Sequence, residues 1–338
     1  MILSHRNMLV LGLIGVLTIG LTLSIVFLSI PPTDNGHTSI ETQIDLIGKI
    51  DTGGGALNVH VDGDLAFVID FGDSGSHGLV IVNVSDPVNP EIIGTYHAGG
   101  FPFAIESIGE VVYIADQFEG LRILNISDPT NPLKIEGYAG SGMAFDLEIV
   151  GNYLFMTDYE YGLVVLDISV PSSPAYVTSY GSDCVHLDIE DDIAYVVGHG
   201  RLRVLNVSDP HNPTLLGQTL SSSITLWDPS VSNGTIYLAN HSGDDGEILI
   251  FDARNPINIE QIAEFDSIGT FQSFFVQDSL LFAVDFESGL YIIDVTNSAS
   301  PVEIDRFSEG QPWDVTICND LVYLVGSQGL QILQVTYT

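Results

Sequence analysis

The feature that most constrains the fold of this chain is a sequence unit that occurs seven times. Each copy contains an apolar run of the form Gly-Leu-x-Ile-x-Asp/Asn-Val, and consecutive runs lie about 42 residues apart. An aromatic residue in the preceding apolar run recurs with the same period, so two independent markers identify a tandem repeat. The aromatic markers are Phe67, Tyr113, Phe155, Tyr195, Tyr237, Phe282 and Tyr323.

A period of this length, with four short β-patterned runs in each unit, predicts the blade of a propeller. The runs are rich in Val, Ile and Tyr and lack the periodicity of helices, which excludes a helical repeat. The third run is followed by turns such as Ser85–Pro90, where Asp bonds to its own backbone and Pro stops strand pairing. We therefore predict an all-β, seven-bladed β-propeller over residues 44–338.

The two ends of the repeat array predict how the ring of blades closes. The seventh unit stops at Thr338, directly after its third strand. Residues 46–54 resemble the fourth strand of another unit, Ile92–Gly100. We predict that this N-terminal strand pairs with the last blade, because pairing satisfies the N–H and C=O groups of an open sheet edge.

An uncharged apolar run at residues 8–30 precedes the repeats. As a helix it would be about 34 Å long, enough to cross a membrane, and no small-x-small cleavage site follows it. We predict one transmembrane signal anchor here, with a cleaved signal peptide as the alternative. Basic residues precede the run and none follows until Lys49, so residues 1–7 form a cytoplasmic stub. Residues 31–43 are then a linker, and the propeller lies at the cell surface on the extracytoplasmic side.

Composition narrows the range of partners. The chain has 44 acidic and 8 basic side chains, which gives a net charge of −36. A chain that is this acidic and has no cluster of basic residues repels phosphate backbones, which excludes nucleic acid as a partner. Its two cysteines, Cys184 and Cys318, are predicted at opposite ends of strands in different blades, where no bridge can form.

The repeat resembles a known family, the LVIVD-repeat proteins. Gly78–Val84, Gly162–Ile168 and Gly289–Val295 carry the Leu-x-Ile/Val-x-Asp/Asn core, and the resemblance covers about residues 44–338. Units four and five depart from the pattern, because Arg201 and Glu247 replace the glycine. The resemblance implies an exported or surface-attached β-propeller, and it carries over no catalytic residue.

Propeller topology predicts which residues lie at the mouth of the central channel, where a ring of blades presents a concave site. Positions nine residues before the aromatic markers begin the first strands, and two tryptophans lie nearby. Aromatic residues near the blade connections either form a binding rim around the channel mouth or pack between blades. The predicted ligand-binding residues are Asn58, Asp146, His186, Asp228, Asp314, Trp227 and Trp313.

Four of these residues also predict a metal site. Asp146, Asp228 and Asp314 offer the oxygen ligands that Ca²⁺ prefers. His186 beside an aspartate suits a transition metal. The alternative is that the recurring aspartate hydrogen-bonds to adjacent backbone, with no cofactor bound.

The leading functional hypothesis is a membrane-anchored β-propeller that acts as a binding or surface-interaction module for a protein or glycan. One alternative is a metal-assisted hydrolase or lactonase-like enzyme with its site at the channel mouth. A second alternative is a structural element of a cell-envelope layer. The sequence assigns no catalytic residue to any of them.

Overall fold

A computed structural model of this 338-residue chain describes residues 42–72, 77–135, 137–140, 143–220, 226–241, 246–267 and 269–337. Every regular element in these ranges is a β-strand, and the strands form seven four-stranded sheets. The predicted all-β, seven-bladed propeller is therefore confirmed. The predicted anchor at residues 8–30 lies outside the described residues, and within the ranges given above no helix has the length and hydrophobicity needed to cross a bilayer.

Six of the sheets are blades whose four antiparallel strands follow one another in the chain. Blade one consists of β2 (Gly54–Asp62), β3 (Leu65–Gly72), β4 (His77–Asn83) and β5 (Glu91–His97). Blade two consists of β6 (Pro102–Ile108), β7 (Val111–Asp116), β8 (Gly120–Asn125) and β9 (Leu133–Lys134). Blade three consists of β10 (Ala144–Val150), β11 (Tyr153–Asp158), β12 (Gly162–Asp167) and β13 (Ala175–Tyr180).

The next three blades repeat this order. Blade four consists of β14 (His186–Glu190), β15 (Ile193–Gly198), β16 (Arg201–Asn206) and β17 (Thr214–Leu220). Blade five consists of β18 (Leu226–Ser232), β19 (Thr235–Asn240), β20 (Glu247–Asp252) and β21 (Glu260–Asp266). Blade six consists of β22 (Phe271–Gln277), β23 (Leu280–Asp285), β24 (Gly289–Asp294) and β25 (Val302–Phe307).

Blade seven joins the two ends of the propeller. Its first three strands are β26 (Pro312–Cys318), β27 (Leu321–Gly326) and β28 (Gly329–Tyr337), and its fourth is β1 (Thr42–Ile50). β1 runs antiparallel to β28, with Thr42 opposite Tyr337 and Ile50 opposite Leu330. The N-terminal strand therefore closes the ring as predicted, and it begins at Thr42 rather than at residue 44.

Apolar side chains fill each interface between neighbouring blades. Seven buried clusters separate the seven pairs of neighbours, including the pair formed by blades seven and one. The aromatic markers of the repeat contribute to these clusters: Phe67 of blade one packs with Ile105 and Ile114 of blade two. All seven markers are buried, which explains why the repeat retains an aromatic residue at this position.

The aspartate that ends the second strand shapes the following turn. In blade two, Oδ1 of the buried Asp116 accepts hydrogen bonds from the backbone N–H groups of Phe118 and Glu119. Its other oxygen pairs with Nε of the buried Arg122 at 2.7 Å. In blades three and six, Asp158 and Asp285 accept hydrogen bonds from the two equivalent loop N–H groups. The repeated aspartate is therefore part of the turn, since buried N–H groups need acceptors.

Glycines in the fourth strand allow neighbouring blades to approach closely. A Cβ on Gly94 would lie 2.0 Å from the carbonyl oxygen of Pro129, in the proline turn of the next blade. Gly48 makes the same approach to Pro87, and Gly217 makes it to Pro256. These positions require glycine because the obstructing atom belongs to the backbone.

Replacement of Gly94 tests this packing. We expect Gly94→Ala to destabilise the protein by roughly 1–3 kcal/mol, the usual cost of forcing an extra methyl into a filled space. The matched control is Gly55→Ala, because a Cβ on Gly55 has no atom within 4 Å. Urea unfolding of both variants measures the difference. Equal unfolding midpoints would contradict the close contact between the blades.

Both cysteines are free thiols, as predicted. Cys184 is buried in blade four, and its Sγ lies 3.6 Å from Nη1 of Arg203. Burial raises the pKa of this thiol to about 11 and outweighs the opposing effect of the Arg203 charge. Cys184 is therefore protonated at neutral pH and acts as an apolar packing group.

Candidate functional site

The first strands of the blades surround the central channel. Each contacts its neighbour in the next blade, and the last contacts the first. These strands are β2, β6, β10, β14, β18, β22 and β26. Side chains near their N-terminal ends converge because the strands all run in the same direction along the channel.

A cavity of about 220 Å³ lies at this end of the channel, and residues from all seven blades line it. Six of the seven predicted ligand-binding residues are among them: Asn58, Asp146, His186, Trp227, Asp228 and Trp313. The seventh, Asp314, is 9% exposed and binds Nδ2 of Asn58 through Oδ2 at 2.8 Å. The structure thus brings the predicted residues together around one cavity, with Asp314 behind its wall.

β-Bulges turn additional side chains toward the cavity. In six of the first strands the pairing register shifts by one residue near the mouth. A bulge bends the strand and re-aims the side chain of the extra residue. In all six blades this extra residue lines the cavity, and these residues are Leu57, Phe103, Phe145, Asp228, Gln272 and Trp313.

The recurring polar residue of the first strand links each odd-numbered blade to the next blade. Its side-chain oxygen accepts a hydrogen bond from a backbone N–H of the neighbouring first strand, at 2.8 to 3.1 Å. The bonds join Asn58 to Ile105, Asp146 to Leu187, Asp228 to Phe274 and Asp314 to Val59. The alternative proposed from the sequence, a structural aspartate bonded to adjacent backbone, therefore describes what these residues do in the fold.

Blade four, an even-numbered blade, cannot make this link from its own first strand, for a local reason. The corresponding residue of blade five is Pro229, which has no N–H for a side chain at His186 to bind. Two residues further along the strand, Oδ2 of Asp188 instead accepts the N–H of Val231 at 2.6 Å. His186 is thereby released from linking blades and is available to line the cavity.

His186 lies between two carboxylates and an indole. Its Nδ1 is 3.5 Å from Oδ2 of Asp146 and 3.8 Å from Oδ1 of Asp228. The ring of Trp227 lies 4.5 Å from the imidazole, between centroids. Trp227 also stacks on His241, whose pKa is lowered by burial. One side of the cavity is therefore polar, acidic and rigidly packed.

Burial and mutual repulsion raise the pKa values of several channel carboxyl groups. Burial, followed by the charges of Asp146 and Asp314, raises the pKa of Asp228 well above its ordinary value. Burial raises the pKa of Asp314 to about 6, although hydrogen bonds from Ser273 and Val59 oppose the shift. A cation bound at the mouth would favour the ionised form of these carboxyl groups and lower their pKa values, so cation binding and ionisation would be coupled.

A second layer of acidic groups lies deeper in the channel, where the first strands direct their next inward side chains. Glu106, Glu148 and Asp188 line this part together with Asp146 and Asp228. Burial raises the pKa of Asp188 to about 7 and raises that of Glu148 as well. The sequence prediction missed this layer, although positions two residues after the predicted ones follow from strand alternation.

The predicted metal site stays a prediction. Among the described residues, no group of three His, Cys, Asp or Glu side chains is arranged so that it could hold a metal ion. Asp146 and Asp228 each use one oxygen for an inter-blade hydrogen bond, and Asp314 uses both. His186 has its Nδ1 near Asp146 and Asp228, whereas Asp314 is bonded to Asn58 and Val59.

Aromatic side chains form the other walls of the cavity. Phe103 and Phe145 contact each other at 5.2 Å between centroids, and Trp227 and Trp313 line the remaining sides. All four are partly exposed, as a binding rim requires. Phe271, an aromatic neighbour in sequence, is instead fully buried between blades five and six.

Comparisons with known proteins agree with this fold. The family described as the LVIVD repeat matches residues 53–98, 105–139, 141–182, 185–220 and 269–308, more than half of the chain. Blade four is matched although Arg201 replaces the usual glycine, whereas blade five is not. A search of curated proteins found no match.

Solved structures with the same fold have little sequence similarity to this chain. BamB from Moraxella catarrhalis has a TM-score of 0.58 and 13% identity over 84% of each chain. The computationally designed protein Ika8 has a TM-score of 0.60 and 8% identity over 86% of this chain and 99% of its own. Sqt1 from Saccharomyces cerevisiae has a TM-score of 0.62 and 11% identity over 86% and 98%.

Proposed function

Since this chain belongs to the LVIVD-repeat family, we propose that it is a membrane-anchored, extracytoplasmic propeller that binds a protein at the cell surface. The observation that carries this proposal is the cavity at the channel mouth, which all seven blades line. Partly exposed aromatic side chains surround it, and such residues supply most of the binding energy in protein interfaces.

The position of the cavity on a rigid ring supports a binding role. Asn58, Asp146 and Asp228 accept inter-blade hydrogen bonds, which fix these side chains at the cavity. A partner therefore meets a preformed surface, and little ordering entropy is lost when it binds. Asp146 and Asp228 are also among the aspartates predicted for the hydrolase alternative. Their inter-blade hydrogen bonds give them a structural role that requires no catalysis.

The sequence supports the membrane anchor and the orientation. The apolar run at residues 8–30 is long enough to span a bilayer, and its flanking charges place the N-terminus in the cytoplasm. The propeller would then stand on the outer side of the membrane, within reach of surface proteins.

Site-specific photo-crosslinking in intact cells tests this function. We expect a photoreactive amino acid in place of Phe118 to yield a discrete crosslinked protein, because Phe118 is 70% exposed beside the mouth. The matched position is Val88, which is 60% exposed in a proline turn at the opposite face. The same photoreactive group there should give no such product.

Three results would contradict the proposal. Equal products from both positions would show nonspecific contact, and crosslinks to further copies of this chain at both faces would favour an envelope layer. A product that loses its size shift only after glycosidase treatment would identify a glycan. The anchor itself is tested by deleting residues 8–30, which should release the propeller from the membrane fraction.

A further inference from the structure

The cavity at the channel mouth combines two kinds of wall that both favour a cation. Phe103, Phe145, Trp227 and Trp313 supply aromatic rings. A cation is attracted to the face of such a ring within about 6 Å of its centroid. Asp146 and Asp228 supply carboxylates on the same cavity. Neither wall alone defines a ligand, but together they match a group that is cationic, flat and partly apolar.

The two carboxylates keep capacity to accept further hydrogen bonds. Oδ2 of Asp228 binds the N–H of Phe274, while Oδ1 accepts no hydrogen bond from any described residue. In Asp146, Oδ2 accepts the N–H of Leu187 and Oδ1 accepts the N–H of Leu147, one hydrogen bond to each oxygen. A carboxylate offers about four lone-pair sites, so both can still accept from a ligand.

The net charge of the chain adds long-range attraction in the same direction. With a charge of −36, the protein draws basic partners toward it and repels acidic ones. The seven-fold convergence of strands places the channel carboxylates where this potential is focused. The ligand is therefore expected to be basic.

The size of the cavity limits what can enter. Sites for complete small molecules usually have volumes of about 300–1,000 Å³. This cavity, at about 220 Å³, is smaller and suits a single long side chain. A guanidinium fits its walls better than an ammonium, because it is planar, stacks on aromatic rings and is more weakly hydrated.

An aromatic path leads from the cavity to the surface of the protein. The ring of Phe103 lies 5.2 Å from that of Phe101, which lies 6.2 Å from that of Phe118. Phe118 is 70% exposed, so the path ends in solvent. A free small cation would make no contact with this path, whereas a polypeptide can place the apolar residues beside its cationic residue along it.

We propose that the cavity receives an arginine side chain from a basic segment of the surface partner, with apolar residues of that segment packed along Phe101 and Phe118. This inference rests on the binding function proposed above and names the chemistry that the site recognises. The arginine would stack between the aromatic walls and donate hydrogen bonds to Asp146 and Asp228.

Tryptophan fluorescence of the full chain provides a direct test. The chain has two tryptophans, Trp227 and Trp313, and both line the cavity, so their emission reports on its occupancy. The probe is a capped pentapeptide with a central arginine between leucines. Matched probes carry lysine or citrulline at the centre, and methylguanidinium serves as the small free cation.

We expect the arginine peptide to shift the emission and to bind roughly tenfold or more tightly than the citrulline peptide, which has the same shape without the charge. The lysine peptide should bind with intermediate affinity.

Asp228→Asn should weaken binding of the arginine peptide about tenfold. Asparagine keeps an acceptor for Phe274 and tolerates the φ of 31° at this position, so the fold is retained. The matched control, Glu91→Gln on the exposed start of β5, should bind normally.

Several outcomes would overturn the inference. Equal affinity for the citrulline and arginine peptides would show recognition without charge. Equal affinity for methylguanidinium and the peptide would identify a free cation as the ligand. If no probe binds while Phe118 still crosslinks to a surface protein, the arginine assignment fails and the binding function stands. If both experiments fail, the binding function fails as well.

Discussion

Removal of β1 is expected to lower the midpoint of thermal unfolding by roughly 10 °C or more, as a paired strand and several partly buried side chains are lost together. The variant lacks residues 42–50, which form the fourth strand of blade seven. The matched control lacks residues 31–41, which precede the strand, and should unfold at the temperature of the intact chain. Circular dichroism followed during heating measures both midpoints.

The size of this effect follows from the position of β1 between two interfaces. Ile47 and Ile50 pack against the cluster shared by blades seven and one, and Ile44 packs against the cluster shared by blades six and seven. All three isoleucines are partly buried, so each contributes less than the about 1.5–3 kcal/mol of full burial. Gly48 adds the close contact with Pro87 of blade one, which joins the last blade to the first.

Deletion of β1 also leaves the edge of β28 unpaired. A long exposed edge strand can pair with another molecule, so we expect the truncated protein to aggregate as it unfolds. Equal midpoints for the two deletions would contradict closure of the ring by β1. A fall of the same size in both would show that the stretch before Thr42 contributes to stability.

The architecture could be predicted because each repeated residue has one dominant physical role. The aromatic markers such as Phe67 are buried between blades, and Asp116 organises a turn. Each role depends on local sequence and on the neighbouring copy, so it recurs with the period of the chain. The closing strand could also be predicted, because its Ile47-Gly48 pair repeats Ile93-Gly94 in the fourth strand of blade one.

The cavity was only partly predictable from the sequence. Counting along the repeat located Asn58, Asp146 and His186, since these residues occupy equivalent positions in the first strands. Strict alternation in a strand would direct the preceding residue to the opposite face. The bulges overturn this expectation for Phe145 and Leu57, because an extra residue changes the direction of the side chain.

The protonation of the channel carboxyl groups was not predictable from the sequence, because it depends on distances between blades. Asp188 receives repulsion from Asp146 and from Glu190 on its own strand, and Glu148 and Asp228 line the same part of the channel. Burial is the largest cause of the shift and raises the pKa of Asp188 to about 7. The folded protein therefore holds protons that the unfolded chain has already released at the same pH.

This difference predicts that the protein becomes less stable as the pH rises. A carboxyl group with a raised pKa in the folded state stabilises the fold fully below its unfolded pKa of about 4. That stabilisation is lost as the pH rises through about 6 and 7, the folded values of Asp314 and Asp188. Since a tenfold change in a proton-binding constant corresponds to about 1.4 kcal/mol, the loss for Asp188 is on the order of a few kcal/mol. We expect the thermal midpoint to fall by roughly 5–10 °C between pH 5 and pH 8.

Asp188→Asn separates this effect from the repulsion among surface charges. Asparagine can still accept the N–H of Val231, but it does not titrate, so the variant should be more stable than the native chain at pH 8 and nearly equal at pH 5. The matched control, Glu110→Gln at an exposed turn, should follow the native profile. Measurements in about 1 M salt, where the Debye length is about 3 Å, screen the surface charges and leave the buried ones. Two results would show that ionisation inside the channel does not limit the stability of the ring. One is a thermal midpoint of the native chain that rises from pH 5 to pH 8. The other is a midpoint of Asp188→Asn that falls with pH as steeply as that of the native chain.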